Sequence, residues 1–147
     1  MLDEKDRSIL EQLMNDGRKS VVEIASELNI PRATVQERIR RMIADNVIKK
    51  FTAILDYSRI GKDVTAYIFV SFSRESNVSQ RTVAEEIARM SEVYEVSLIS
   101  GEWDIILKAR AGSVEEIGKL VIDRLRMMKG IEKTQTCVRF QTIKENL

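Results

Sequence analysis

The chain has 147 residues, a length that fits either one domain or two small ones. Hydrophobic residues make up 44% of it and charged residues 32%, the composition of a soluble folded protein, and the formal net charge is +1. No apolar run approaches the roughly 18 residues that span a bilayer, and the acidic opening Met1-Leu2-Asp3-Glu4 does not resemble a secretory signal.

Histidine is absent, and Cys137 is the only cysteine. These counts exclude His-based metal sites, Cys-rich zinc sites and nucleophilic catalysis that depends on histidine. A single cysteine cannot form an internal disulfide, which fits a reducing compartment. We therefore expect a cytoplasmic protein that is not an enzyme, does not contact membranes and holds no cofactor or metal.

Three short helices are predicted in the first third of the chain. The first runs from Asp3 to Asp16, with Asp3 as N-cap, and the second opens with the capping box Ser20-Val21-Val22-Glu23. The third runs from Pro31 to about Asp45, because proline suits the first position of a helix. The residues expected to face the core recur at helical spacing: Ile9, Leu10, Leu13, Met14, Ile24, Ala25, Leu28, Val35, Ile39, Met42 and Ile43.

The third helix and the segment after it carry a local excess of positive charge. Residues 32–50 contain six basic side chains against two acidic ones, whereas residues 62–147 are balanced, with thirteen of each. Two short helices joined by a tight turn, with a basic outer face on the second, predict a helix-turn-helix that enters the DNA major groove. The candidate contacts to bases or phosphates are Arg32, Thr34, Gln36, Arg40, Arg41, Lys49 and Lys50.

Two other interpretations of this basic stretch remain open. A charged run is often only a solvated face, and three helices can form a packing module that binds no nucleic acid. Arg38 lies beside the apolar stripe, so it is expected either to contact DNA or to pair with an acidic neighbour such as Glu23.

Residues 47–55 are rich in β-forming residues and predict a wing strand or hairpin. The segment 56–62, with Ser58 and Gly61, is the expected boundary between domains. We therefore predict a winged helix-turn-helix domain over residues 1–60, with its wing and linker at about 47–62, and a second domain over residues 63–147.

The second half alternates strand and helix patterns in the order βαββαβ. The predicted strands are Val64–Ser73, Val93–Ser100, Trp103–Ala111 and Ile131–Gln141, and the helices start after Ser79 and Ser113. This order predicts a ferredoxin-like sheet with both helices on one face, and hence an α+β protein overall. Tyr67 and Phe69 make the other face of the first strand apolar too, which predicts cover by a second subunit or by the linker.

Several segments of the chain together match the pattern of a known family. In the first half these are residues 2–10, 16–20, 34–39 and the wing-like segment 47–53. In the second half they are residues 96–104, which contain a Gly-x-aromatic-Asp pattern at Gly101-Glu102-Trp103-Asp104, and residues 129–136. Together these segments resemble the Lrp/AsnC (leucine-responsive, or feast/famine) transcriptional regulators. The resemblance spans essentially the whole chain, although Pro31 stands where family patterns usually carry Ser or Thr.

The resemblance implies a sequence-specific regulator that binds double-stranded DNA as a homodimer, which assembles further into tetramers or octamers. It also implies an amino-acid effector held by Gly101, Glu102, Trp103, Asp104, Thr134 and Thr136. From the residues alone, Trp103 is equally well explained as core, Asp104 as a cap of the turn, and Cys137 as a strand residue without chemistry. The rival functions are an architectural DNA-wrapping protein and an enzyme similar to siroheme decarboxylases, whose proposed catalysis uses the histidine that this chain lacks.

Overall fold

A computed structural model describes residues 1–73 and 75–145. The chain divides into two compact units, Met1–Leu55 and Asp56–Leu147. No helix within the described residues is both long enough and apolar enough to cross a membrane.

The first unit consists of three helices, and its two capping boxes explain where the first two begin. They are α1 (Glu4–Asn15), α2 (Val21–Leu28) and α3 (Arg32–Ala44). At the start of α1 the Asp3 side chain accepts from the Asp6 N–H while the Asp6 side chain accepts from the Asp3 N–H. Ser20 and Glu23 form the same reciprocal pair at α2. Asn29 then ends α2 in the left-handed conformation, which turns the chain into α3.

The core of this unit is built on buried apolar residues from all three helices: Ile9 of α1, Ile24 of α2, and Val35 and Met42 of α3. The apolar stripe was therefore predicted correctly at its centre. It was wrong at two positions, since Met14 is 79% exposed and Ile43 is 46% exposed. Both residues lie on the last turn of their helix, where the neighbouring helices no longer cover the stripe.

The predicted wing strand is absent from the described structure. The segment 49–55 has no strand, and no backbone hydrogen bond to it is found among the described residues. Phe51 and Ile54 are 54% and 74% exposed, so neither side chain is buried in a core. A strand needs a partner for its backbone groups, and β-forming residues do not supply one.

The second unit is a four-stranded antiparallel sheet with helices on one face. Its strands are β1 (Val64–Phe72), β2 (Val93–Leu98), β3 (Ile105–Ala111) and β4 (Ile131–Val138), in the order β2-β3-β1-β4. Helix α4 (Gln80–Ile87) joins β1 to β2, and α5 (Val114–Lys119) continues through a π-helical turn (Leu120–Arg124) and a 3-10 turn (Leu125–Met127) towards β4. This is the predicted ferredoxin-like order, and each strand is about one to three residues shorter than predicted, at one end only.

The core of the second unit lies between the sheet and these helices. Alternate residues of the two central strands are fully buried, namely Ala66, Ile68 and Val70 on β1 and Ile105, Leu107 and Ala109 on β3. Helix residues such as Val83, Ile87, Ile117 and Leu125 close over them. The opposite face of the sheet carries Tyr67, Phe69 and Ile106, which are only half-buried.

Candidate DNA-binding face and candidate effector pocket

The start of α3 presents backbone donors that no side chain of the described residues caps. The helix begins at Arg32, one residue later than predicted. Pro31 is therefore the N-cap residue, and it makes no side-chain capping bond. Its carbonyl oxygen accepts from the Val35 N–H at 3.1 Å, which starts the helical ladder. The first-turn N–H groups of α3 are therefore available to an anion such as a phosphate.

One face of α3 is exposed and carries three of the five contacts predicted on this helix. Arg32, Gln36 and Arg40 are exposed and spaced four residues apart, which puts them on one stripe, while Val35 and Met42 anchor the opposite side. The only ion pair of Arg40 among the described residues is to Glu37 at 3.3 Å, and both side chains are about 70% exposed. Thr34 is half-buried.

Arg41 and Arg38 instead contact buried acid. Arg41 Nη2 donates to Asp6 Oδ2 at 2.7 Å, and Arg38 Nη1 donates to Asp6 Oδ1 at 2.8 Å and to Asp3 Oδ2 at 2.6 Å. The expectation that Arg38 pairs with an acidic neighbour is therefore confirmed, but its partners are Asp3 and Asp6. Glu23, the example offered, is wrong, because its side chain is used in the cap of α2. The two arginines tie α3 to α1, and this network was not visible from sequence because its partners lie more than thirty residues apart.

The network lowers the pKa of both acid groups. The hydrogen bond from Arg38 lowers the pKa of Asp3 from 3.8 to about 2, with help from the Asp6 N–H. Burial on its own would raise the pKa of Asp6, but the hydrogen bonds from Arg38 and the Asp3 N–H, together with the charge of Arg41, outweigh it and lower the pKa. Both carboxylates are thus ionised at neutral pH.

Lys49 and Lys50 are exposed in the extended segment that follows α3. No ion pair to either lysine is found among the described residues. Free ammonium groups of this kind suit phosphate contacts, which add affinity without reading sequence.

In the second unit, the predicted Gly-x-aromatic-Asp residues form the turn between β2 and β3. Gly101 has φ +128°, a conformation that residues with side chains rarely adopt, and it is exposed together with Glu102. Trp103 is half-buried with its ring 6.1 Å from that of Phe69, so it lies on the outer face of the sheet and outside the core.

Asp104 is occupied by contacts within its own unit. Its Oδ2 accepts from the Phe72 N–H at 2.7 Å, and its Oδ1 accepts from Gln80 Nε2 at 3.0 Å. Its own N–H donates to the Val70 carbonyl oxygen at 3.0 Å. Asp104 therefore fixes the end of β1 and the first residue of α4 against the turn.

A shallow depression lies beside this turn at the edge strand β4. Trp103 and Thr134, both predicted effector contacts, line it, together with five residues that sequence reasoning missed: Arg126, Ile131, Glu132, Lys133 and Gln135. Thr136, Gly101, Glu102 and Asp104 are not among the described residues that line it. Arg126 Nε donates to Thr134 Oγ1 at 3.0 Å, which leaves both terminal nitrogens of this exposed guanidinium available.

Little in the sequence indicates that these five residues line the depression. Lys133 and Gln135 alternate with Thr134 along β4, and both sides of this strand reach the depression because β4 is an edge strand. Arg126 comes from the turn before it. Only the strand order, which sequence patterns do not give directly, brings these groups beside Trp103.

A helical unit with an exposed basic helix, followed in the chain by a ferredoxin-like unit with a surface pocket, defines a helix-turn-helix DNA-binding regulator. Comparison with known proteins agrees. Residues 2–43 match the AsnC-type helix-turn-helix domain, and residues 65–147 match the Lrp/AsnC ligand binding domain. The chain belongs to the Lrp/AsnC family of transcriptional regulators.

Relatives and solved structures show the same likeness along the whole chain. An uncharacterized HTH-type transcriptional regulator of Pyrococcus horikoshii is 44% identical over 147 residues, which cover 100% of this chain and 98% of that protein. The regulator FL11 of the same organism is 35% identical, over 98% of this chain and 93% of its own. In fold, the chain matches AsnC of E. coli with a TM-score of 0.89 at 22% identity, covering 100% and 97% of the two chains. It matches a Neisseria meningitidis regulator solved as a complex with L-Met with a TM-score of 0.90 at 21% identity, covering 99% and 94%.

Proposed function

We propose that the first unit reads DNA through the exposed stripe of α3, with Arg32, Gln36 and Arg40 at base edges or phosphates. The observation that carries this is the exposure of that stripe beside a helix start whose N–H groups have no side-chain cap. Thr34, Lys49 and Lys50 act as supporting contacts, the lysines to phosphates. Arg41 contributes mainly by holding α3 against α1 through Asp6, with its remaining exposed surface towards the DNA backbone.

The test compares Arg40→Ala with Arg7→Ala in a gel-shift titration on selected genomic fragments at fixed salt. Both changes remove one positive charge from an exposed position, but Arg7 lies on α1. A base contact at Arg40 is worth about 1–3 kcal/mol, so R40A is expected to weaken specific binding about 5- to 150-fold. R7A measures the effect of net charge alone. Equal losses for the two variants would contradict the assignment.

We infer that two copies pair through the outer face of the sheet around Phe69 and Ile106, which are half-buried and which no described helix covers. An apolar sheet face of this kind gains stability when a second layer removes it from water. A two-fold dimer would place two α3 helices in major grooves about 10 bp apart, or a multiple of that distance, on a pseudo-palindromic site. Tetramers or octamers of such dimers are the larger assemblies that we expect.

Sedimentation of the full chain tests this pairing. Phe69→Lys, which adds a charge to the middle of the outer face, is expected to yield monomers at concentrations where the unchanged chain is dimeric. Lys119→Glu changes an exposed charge on α5, away from this face, and serves as the matched control. A dimer that survives F69K would place the interface elsewhere.

We propose that the depression beside Trp103 holds an amino-acid effector. The Arg126 guanidinium suits its carboxylate, the Thr134 hydroxyl adds a hydrogen bond, and Trp103 offers an apolar surface. Asp104 already accepts from Phe72 and Gln80, so its role is to position the turn rather than to bind the ammonium group. The exposed Glu132, which lines the depression, is the carboxylate left for that group. The L-Met complex of the Neisseria regulator supports an amino acid as the ligand class.

A panel of amino acids tests the pocket by thermal shift and by the change in DNA affinity. Arg126→Ala is expected to weaken the best ligand at least about tenfold, the order of one charged hydrogen bond. Lys119→Ala removes another exposed cation, on α5, and should leave binding unchanged. Loss of binding in both variants, or in neither, would move the effector away from Arg126.

Catalysis and bulk DNA wrapping are the competing roles, and we propose neither as the main one. The sequence has no histidine to serve a decarboxylase of the type considered above. Competition between a selected fragment and bulk DNA at fixed salt separates a specific regulator from an architectural protein. We place the working protein in the cytoplasm, where its DNA partner and an amino-acid pool are both present.

A further inference from the structure

A buried arginine organises one end of the sheet, where β1 begins and β3 ends. The Arg110 side chain is 7% exposed, and its guanidinium carbon lies 3.7 Å from the ring centre of Tyr57 and 5.5 Å from that of Tyr94. Its Nη1 donates to Thr65 Oγ1 at 3.4 Å. The two tyrosine rings and the sheet thus keep water away from most of this cation.

Three cations at this end of the sheet converge on one carboxylate. Glu145 comes from the C-terminal segment after β4 and forms ion pairs with Lys108, with Arg110 Nη2 at 3.4 Å and with Arg139 Nη1 at 3.4 Å. Lys108 and Arg139 are 11% and 23% exposed, so both are largely withdrawn from water. The pKa of Glu145 is lowered chiefly by the hydrogen bond from Lys108, and also by the charges of Arg110 and Arg139.

This arrangement leaves positive charge uncompensated. Among the residues that the structure describes, one carboxylate faces three cations. Lys62, whose Nζ lies 2.6 Å from the Tyr94 hydroxyl oxygen, adds a fourth cation nearby. Glu95 lies opposite Lys108 in the strand register, but no ion pair joins them among the described residues. Within the described part of the chain, Arg110 Nε is buried and has no hydrogen-bond partner. Holding several cations in a low-dielectric setting around a single anion is costly unless a further anion binds.

We propose that this cluster is an anion-binding site for a small dianion, and that Glu145 occupies it in the structure as a built-in competitor. A dianion such as a phosphate group or a dicarboxylate matches the charge excess better than one carboxylate does. Its oxygens can engage the planar guanidinium groups of Arg110 and Arg139 and the Lys108 ammonium together. The site shares no residue with the depression lined by Trp103 and Arg126, so it does not depend on the effector proposal.

The C-terminal segment has the properties of a displaceable occupant. Residues 141–145 line a small depression over Tyr67, and Ile143 is 87% exposed, so the segment is held mainly by the Glu145 contacts. An intramolecular carboxylate on a short tether acts at an effective concentration of roughly millimolar. A free dianion therefore binds more weakly to the unchanged chain than to a chain in which residue 145 carries no charge.

The test titrates inorganic phosphate and, separately, succinate into the full chain by calorimetry, with ionic strength held constant by NaCl. Glu145→Gln is expected to bind at least one of the two probes about tenfold more tightly than the unchanged chain. Adding Lys108→Gln or Arg139→Gln to E145Q should reverse that gain. Adding Lys144→Gln, a neighbouring exposed cation outside the cluster, should not. The probe that binds identifies the phosphate or the dicarboxylate as the ligand chemistry.

A second measurement on the unchanged chain keeps the proposal testable if E145Q folds poorly. Displacement of the segment by the same probe should speed tryptic cleavage after Lys144, relative to NaCl of equal ionic strength. Failure of E145Q to gain affinity for either probe, or an equal loss from K144Q and R139Q, would overturn the site. So would a cleavage rate that neither probe changes.

Discussion

Removal of the Asp6 carboxylate should destabilise the first unit far more than removal of an exposed carboxylate from the same three helices. Asp6 is fully buried, and it accepts from Arg38 at 2.8 Å, from Arg41 at 2.7 Å and from the Asp3 N–H at 3.1 Å. It therefore serves both as the partner of two arginines of α3 and as half of the cap of α1. No apolar contact replaces either role.

The magnitude for Asp6→Ala follows from these three bonds. A hydrogen bond to a charged group contributes about 1.5–3 kcal/mol, and loss of a helix cap costs about 0.5–2 kcal/mol. Part of the sum is recovered, because a buried carboxylate is costly to desolvate and because Arg41, already 50% exposed, can rehydrate. We expect a net loss of about 2–4 kcal/mol, which is a large share of the stability of a small helical unit.

The assay is urea unfolding of the full chain followed by far-UV circular dichroism, with Trp103 emission recorded in parallel. The only tryptophan lies in the second unit, so its transition should stay in place while an earlier helical transition appears. Glu37→Ala is the control, since it breaks an exposed pair worth about 0–1 kcal/mol. If D6A and E37A unfold within about 0.5 kcal/mol of each other, the network does not stabilise the first unit as described.

Three further outcomes are expected. The pKa of Asp3 is about 2 in the folded chain, below its ordinary 3.8, so its contribution to stability is present above pH 3.8 and is lost as the pH falls towards 2. Helical melting curves between pH 5 and 2 should show this loss, and Asp3→Asn should reduce it without abolishing it, because the pKa of Asp6 is lowered too. Gly130→Ala should destabilise the second unit by about 2–4 kcal/mol, because φ of Gly130 is +94° and an added Cβ would lie 2.3 Å from the Phe72 ring. Gly118→Ala in α5 has open space for the added Cβ and should stabilise this unit by about 0.5–1 kcal/mol. Both changes are measured by unfolding followed through Trp103 emission. Asp104→Ala leaves the Phe72 N–H without its acceptor and should cost about 1–3 kcal/mol in the same assay; a cost no greater than that of Glu102→Ala, an exposed neighbour, would contradict its positioning role.

Much of the fold could be predicted because its determinants are local. Caps at Asp3, Ser20, Ser79 and Ser113 mark helix starts within a few residues, and alternation along β1 and β3 marks the buried face. The order βαββαβ then leaves few sheet topologies that keep connections right-handed and short. Period and capping depend on residues near in sequence, and so the printed sequence carries them.

The functional groups were predicted less completely, because their roles depend on partners distant in the chain. Sequence placed Arg40 and Arg41 side by side as equivalent DNA contacts, yet a buried Asp6 thirty-five residues away takes Arg41 and leaves Arg40 exposed. The same holds for residues 47–55, whose β-forming composition was read correctly but has no partner strand within the described chain.

The sequence by itself determined where the helices and strands lie, the ferredoxin-like order of the second unit, and the basic character of α3. Only the tertiary structure decided which charged groups bind partners within their own unit, as Asp104 and Arg41 do. It also decided which charged groups converge from separate segments, as Arg110 and Glu145 do. The physical reason is the separation along the chain over which each effect acts. Helical and strand periods act over a few residues, whereas burial and ion pairing act between any groups that the folded chain brings within a few ångströms.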